Sequence, residues 1–284
     1  LWRVSLPSLE KEELAAGILK STTSPRAAVG FAAGDSPSDV YRLGLGETQS
    51  LAYGNIVAPL IALDATGKWG VIFEEFEQQG TAGLLSVGPA NGPVAELQVV
   101  AQIVTNIEPF CTTCLRIGEK CFAIVGGKSP DRPVGLALIP FPDPASSIPV
   151  DDSSIIFPSP TTDKDLFLES GRVVRSVATH ISQDQAWGWL ATGQVVGTGN
   201  ALTELWKVLA DGSVIYQDFI GQETQAEAVS SLAFDPSGQW LVRGTSWGEV
   251  RLTKLNLPRQ DFELMSEEYQ SGVLQVQFID GKVL

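Results

Sequence analysis

The chain is poor in the residues that most often carry chemistry. Its 284 residues hold one histidine, His180, and three cysteines, Cys111, Cys114 and Cys121. An odd cysteine count with no framework spacing argues against a disulfide scaffold. Basic residues are also short, 19 against 33 acidic ones, for a net charge of −14. No basic stripe marks a nucleic-acid face, and the acidic balance repels phosphate backbones and anionic membranes. No apolar run approaches 18 residues, so no direct membrane insertion is expected. Neither an initiating Met nor a signal-peptide pattern opens the sequence. The expectation is a cytoplasmic protein with no nucleic-acid partner, cut from a longer polypeptide or processed.

Long helical periodicity is nearly absent as well. The best helix expectation covers residues 8–16, with Ser8 as N-cap, acids in the first turn and Gly17 as the stop. What is plentiful is turn chemistry, 28 Gly and 17 Pro, around strand-sized apolar runs. Apolar residues make up 44% and charged residues 18%, which suits a globular all-β protein with a substantial core. The acidic patch Glu74-Glu75-Phe76-Glu77 reads as a solvated edge strand or loop.

The apolar runs recur around a shared turn. Leu63-Asp64-Ala65-Thr66-Gly67-Lys68-Trp69 matches Phe234-Asp235-Pro236-Ser237-Gly238-Gln239-Trp240. The two lie 171 residues apart, about four units of roughly 43 residues, a propeller-blade length. Weaker copies are Ile181-Ser182-Gln183-Asp184-Gln185-Ala186-Trp187, Leu115-Arg116-Ile117-Gly118-Glu119-Lys120-Cys121, Phe278-Ile279-Asp280-Gly281 and Ser24-Pro25-Arg26-Ala27-Ala28-Val29. Third strands follow at 40–45, 83–87, 134–139, 203–208 and 250–255. Asp and Ser/Thr bond neighbouring amides in such turns, and Gly supplies positive φ. The flanking runs are continuous rather than alternating, as strands covered on both faces require. A sheet of this kind needs neighbours stacked against it.

Residues 229–257 resemble a WD40 repeat, the "LAFDPSGQWLV…GEVRL" run standing where such repeats carry "LAFSPDGxxLA…GxVRLW". The resemblance implies a single all-β propeller domain over residues 1–284, of six or seven four-stranded blades. The N- and C-terminal strands would pair to close it, and residues 142–170 would form a long loop or a degenerate blade. The Gly-His dipeptide of the repeat is missing, Trp247 replaces the turn Asp, and Thr253-Lys254 replaces Trp-Asp. The family's buried His/Asp/Ser/Trp network therefore cannot form here.

Candidate sites are few. Cys111-x2-Cys114-x6-Cys121 offers thiolates, with His180 as a fourth metal ligand. The spacing fits no standard zinc knuckle, so Cys111 and Cys114 stand as a metal or redox pair and Cys121 as core. His180, the only base for a Ser/His/Asp triad, reads as a buried or turn histidine. Gly193 to Asn200 is Gly-rich but precedes a strand, so it reads as a hairpin rather than a dinucleotide loop. The pairs Asp151-Asp152 and Glu267-Glu268 read as solvated loops. Trp69, Trp187 and Trp240 recur at one repeat position and are expected to wedge between blades. Trp247 sits in a turn with Ser246 and Glu249, as contact residue or as local packing.

The leading expectation is a non-catalytic protein–protein interaction scaffold or sensor/regulatory domain. It would use no cofactor and bind a protein or peptide, or other domains of the same polypeptide. The rival is a propeller hydrolase or lyase acting on a sugar or peptide. A third reading is a thiol or metal-dependent regulatory module.

Overall fold

A computed structural model describes the strands named below and, from residue 97 on, the segments 97–141, 151–158, 172–196, 200–223, 228–256, 258–265, 272–273, 276, 278–279 and 282–283. The chain divides into two compact units, Leu1–Thr105 with Phe141–Ser153, and Asn106–Pro140 with Ser154–Leu284. Among the described residues no helix is long and apolar enough to cross a membrane.

The first unit holds β1 (Trp2–Ser5), β2 (Glu10–Glu13), β3 (Ile18–Thr23), β4 (Val29–Gly34), β5 (Asp39–Gly44), β6 (Thr48–Ala52), β7 (Leu60–Leu63), β8 (Trp69–Phe76), β9 (Gln79–Val87) and β10 (Leu97–Val104). The strands β3 to β6 and β7 to β10 form two four-stranded antiparallel meanders. The expected helix at 8–16 is corrected: residues 10–13 are β2, paired with β1, with Arg3 opposite Glu12 in register. A nine-residue helix is marginal alone, whereas a strand gains backbone partners at once.

The second unit holds β11 (Glu108–Ile117), β12 (Lys120–Lys128), β13 (Leu136–Pro140), β14 (Val173–Ile181), β15 (Trp187–Val196), β16 (Asn200–Leu209), β17 (Val214–Glu223), β18 (Val229–Phe234), β19 (Trp240–Thr245), β20 (Val250–Lys254), β21 (Gln260–Met265), β22 (Phe278–Ile279) and β23 (Lys282–Val283). The strands β14 to β17 and β18 to β21 are further four-stranded meanders, and β11 to β13 a three-stranded one. Beside β13 the fourth place is taken by Ile156, whose N–H and C=O both bond Leu138 at 2.9 Å. The chain is thus all-β, built from the antiparallel meanders that serve as propeller blades. In the described ladders β1 pairs with β2 and β22 with β23. The expected ladder between the two termini is not among them.

Burial explains why the strands read as continuous apolar runs. Seven successive residues of β12, Cys121 to Gly127, are buried, so both faces of the strand are covered. One face packs into a cluster with Leu138, Leu190, Trp206 and Val208. The next inter-sheet layer joins Ala191 and Leu205 to Leu232 and Leu241. A third joins Val242 and Val250 to Val276.

The Asp235 turn is built as its sequence requires. Asp235 Oδ1 accepts from the Trp240 N–H at 2.7 Å, and its other oxygen takes both the N–H and the hydroxyl of Ser237. Burial raises the Asp235 carboxyl, but these hydrogen bonds outweigh it and hold it below its ordinary range. Gly238 closes the turn at φ +68°, and a Cβ there would stand 2.2 Å from His180 Cδ2. Gly238→Ala is therefore expected to cost about 2 kcal/mol in urea melts, from left-handed strain and overpacking together.

His180 is half-buried against that glycine and 6.1 Å from the Phe234 ring. Burial lowers its pKa from 6.5, and Asp235 only partly offsets this. The unfolded imidazole then binds protons more readily than the folded one. That contribution to stability is complete above the unfolded value of 6.5 and declines as pH falls toward the lower folded value. Urea melts at stepped pH should show a shallower acid-side loss for His180→Gln than for the parent.

Candidate functional site

In the second unit β11, β14 and β18 start at the same end of their sheets. Register pairs Glu108 with Lys128, Val173 with Val195, and Val229 with Thr245, so each first strand starts beside the close of the second. Backbone bonds tie the sheets together there. The Gly135 N–H donates to Arg172 O at 3.0 Å, and the Arg172 N–H to Pro133 O at 2.8 Å. Gly135 is also held tight against β12, where a Cβ on it would lie 2.0 Å from Gly127 O.

A cleft of about 490 Å³ opens at this junction, lined by Lys128, Ser129, Asp131, Arg132 and Arg172 with Pro130, Pro133 and Val173. Three cationic residues line it in a chain of net charge −14. Two prolines stiffen the turn that carries Lys128, Asp131 and Arg132. The Arg132 guanidinium lies 3.6 Å from the centroid of the Phe157 ring, a cation–π contact that orients its planar fork.

Arg172, only 5% exposed, is the buried cation of the cleft lining. It donates to Glu204, itself 2% exposed, in a buried ion pair. Gln194 Nε2 donates to the other Glu204 oxygen at 2.6 Å and to Thr192 Oγ1 at 2.8 Å. Trp206 Nε1 donates to the same hydroxyl at 3.2 Å. Burial pushes the Glu204 carboxyl up, while Arg172 and Gln194 pull it back. Burial also raises the Tyr216 phenol to about 12, helped by Glu204 and Asp218. Tyr216 stands edge-on to Trp206 at 5.3 Å.

Sequence reasoning passed over Arg172, Glu204 and Gln194. The signal was present: Thr192 and Gln194 alternate on β15, Glu204 and Trp206 on β16, and the register sets Thr192 opposite Glu204. Alternation of this kind puts all four on one sheet face. A buried polar network therefore exists in the β14–β17 sheet, with residues other than those of the repeat family.

The residues expected as candidates are placed otherwise. Trp247 is 48% exposed in the β19–β20 turn. Ser246 beside it accepts from the Ala228 N–H at 3.1 Å through its hydroxyl. Glu249 is buried and receives Arg251 Nε. Gly244-Thr245-Ser246-Trp247-Gly248 carries the G-x-S-x-G spacing, which also went unread, yet it joins two strands rather than a strand and a helix. Its Ser246 stands at the turn end, while His180 closes β14 at the opposite end.

Cys111 and Cys114 do not converge. They sit three residues apart on β11, so their side chains leave opposite faces of the strand. Cys111 Sγ donates to Gly126 O at 3.6 Å, Cys121 is buried, and all three cysteines are thiols. Among the described residues no group of three or more His, Cys, Asp or Glu is arranged to hold a metal ion. The three cysteines and His180 are therefore not gathered into one ligand set. Asp151 accepts the Ser153 N–H at 2.9 Å and Asp152 the Val104 N–H at 3.0 Å, so Asp151 builds a turn and Asp152 ties it to β10. Glu267-Glu268 lies outside the described residues.

The tryptophan expectation is also corrected. Trp187 and Trp240 are only half-buried, each with a lysine over its ring, Lys207 at 4.6 Å and Lys254 at 5.7 Å. These positions flank the turns at the sheet ends, where packing is incomplete. Among the described residues the fully buried tryptophan is Trp206. The side chain of Trp69 lies outside the described residues.

No family model matches the chain, and no curated protein sequence matches it. Among solved structures it is similar to a candidate 6-phosphogluconolactonase from Bacteroides fragilis, at 12% identity and a TM-score of 0.43, covering 87% of this chain and 80% of that one. It is similar too to a candidate 6-phosphogluconolactonase from Bacteroides uniformis, at 11% identity and a TM-score of 0.45, covering 87% and 81%. Likeness this distant carries no activity across. Both are nonetheless described as enzymes and neither as an interaction scaffold. Against these neighbours the expectations of a non-catalytic scaffold and of no enzymatic activity are withdrawn, and likeness alone assigns no activity in their place.

Proposed function

We propose that the chain is a hydrolase that opens an ester or lactone bond in a small anionic sugar derivative. The observation that carries this reading is the cleft at the β12–β13 turn, whose lining brings Lys128, Arg132 and Arg172 together with Asp131. Cations so gathered in an acidic chain attract an anionic ligand and repay its desolvation. In this reading Lys128 and Arg132 hold the charged group of the substrate. Arg172 faces the carbonyl oxygen on which charge develops. Asp131 takes the proton of a water that attacks the carbonyl carbon; the carbon–oxygen bond to the ring then breaks, and the leaving oxygen is reprotonated to give the hydroxy acid. The Asp235-Pro236-Ser237-Gly238 turn supports reading the sheets as distant WD40-type blades.

The compared structures name a first substrate to try, a phosphorylated gluconolactone. Acid release in a pH-stat should exceed the spontaneous rate, and faster for the phosphorylated than for the plain lactone. The Lys128→Ala/Arg132→Ala variant should lose about tenfold or more in kcat/KM on the phosphorylated substrate and far less on the plain one. Asp131→Asn should lower kcat by about 100-fold. No turnover of either lactone would overturn the reading.

A further inference from the structure

The ion pair at the cleft is hard to explain by stability. Two charges taken from water cost several kcal/mol each, and well-packed apolar replacements are often as stable or more so. Beyond Thr192 and Gln194, the buried neighbours on that sheet face include the apolar Val174, Leu190 and Leu202. Yet Arg172 lies at the first position before β14, pinned through its own backbone by Pro133 and Gly135. Its carboxylate partner is itself held from a third strand by Gln194. Backbone and side chain are thus both fixed, at the one buried cation that lines the cleft.

We infer that Glu204, braced by Gln194, is a positioning residue that fixes the Arg172 guanidinium in the cleft lining for an oxyanion of the ligand. This deepens the hydrolase reading and rests on it for the substrate, but not for the binding of an anion. A guanidinium presents a planar fork to phosphate or carboxylate oxygens, and a fork is useful only when its plane is set beforehand. Glu204 touches no ligand in this arrangement and acts through Arg172.

The test uses inorganic phosphate as the probe, titrated calorimetrically into the full chain, with thermal unfolding of every variant run in parallel. The parent is expected to bind phosphate. Arg172→Met/Glu204→Leu, which replaces the pair by apolar side chains, should unfold near the parental temperature and bind phosphate at least tenfold more weakly. Arg172→Lys keeps the charge but not the fork, and should weaken binding about fivefold while remaining folded; it serves if the double variant fails to fold. Glu204→Gln should raise KM for a phosphorylated lactone and lower kcat together, whereas a merely structural role would leave the folded fraction with parental constants. Phosphate bound with parental affinity by a folded Arg172→Met/Glu204→Leu or Arg172→Lys protein would overturn the inference. So would a parent that binds no phosphate. A parent that binds phosphate through Arg172 but opens no lactone would sink the hydrolase reading alone.

Discussion

Trp206→Ala should destabilise the second unit by about 3–5 kcal/mol, read as a shift in the urea midpoint at unchanged slope. Trp206 has no exposed surface and sits in the cluster that joins β11, β12 and β13 to β14, β15 and β16. Truncation opens a cavity walled by residues of two sheets, including Phe122, Ile124, Leu138 and Val208, and rigid strands on both sides cannot collapse into it. The change also removes the indole donor to Thr192. Trp206→Phe keeps most of the volume and loses the donor, so it should cost about 1–2 kcal/mol. Equal losses for the two variants would place the effect in the hydrogen bond rather than in packing.

Arg172→Ala should be as damaging, at about 3–5 kcal/mol near neutral pH, for a different reason. It strands the Glu204 carboxylate at 2% exposure with only the Gln194 amide to meet its charge. Burial already pushes that carboxyl above its ordinary 4.5, and loss of the guanidinium removes the main opposing pull. The folded variant would therefore take up a proton where the unfolded chain has none. Sign follows from that: a group whose folded pKa is raised penalises folding at high pH and ceases to as pH falls through the folded value. The deficit against the parent should shrink on acidification. Adding Glu204→Leu to an Arg172→Met background should recover most of the loss. A deficit independent of pH would contradict this account.

The fold was far more legible than the site. The Asp235 turn could be read because its determinants lie within six residues, an Asp acceptor, a Ser and a Gly at positive φ. The expected third strands at 203–208 and 250–255 fall within or against β16 and β20 for the same local reason. Arg172, Gln194 and Glu204 were opaque because a polar residue on a strand looks like a solvated one until the neighbouring sheet arrives. The 10 residues between Gln194 and Glu204 are one hairpin, but the 32 between Arg172 and Glu204 run through β14, β15 and into β16. The repeat position shared by Trp187 and Trp240 borders a turn and is only half-buried, so recurrence there does not signal a core position. The wedge role falls to Trp206 on β16, the strand that follows Trp187.

The two backbone bonds between the β12–β13 turn and Arg172 mean that neighbouring sheets share peptide hydrogens as well as side chains. Those amides belong to neither sheet alone. In heavy water they exchange only when the sheets part, so the slow fraction at Gly135 and Arg172 gauges the free energy of that separation directly, apart from fraying at the tips.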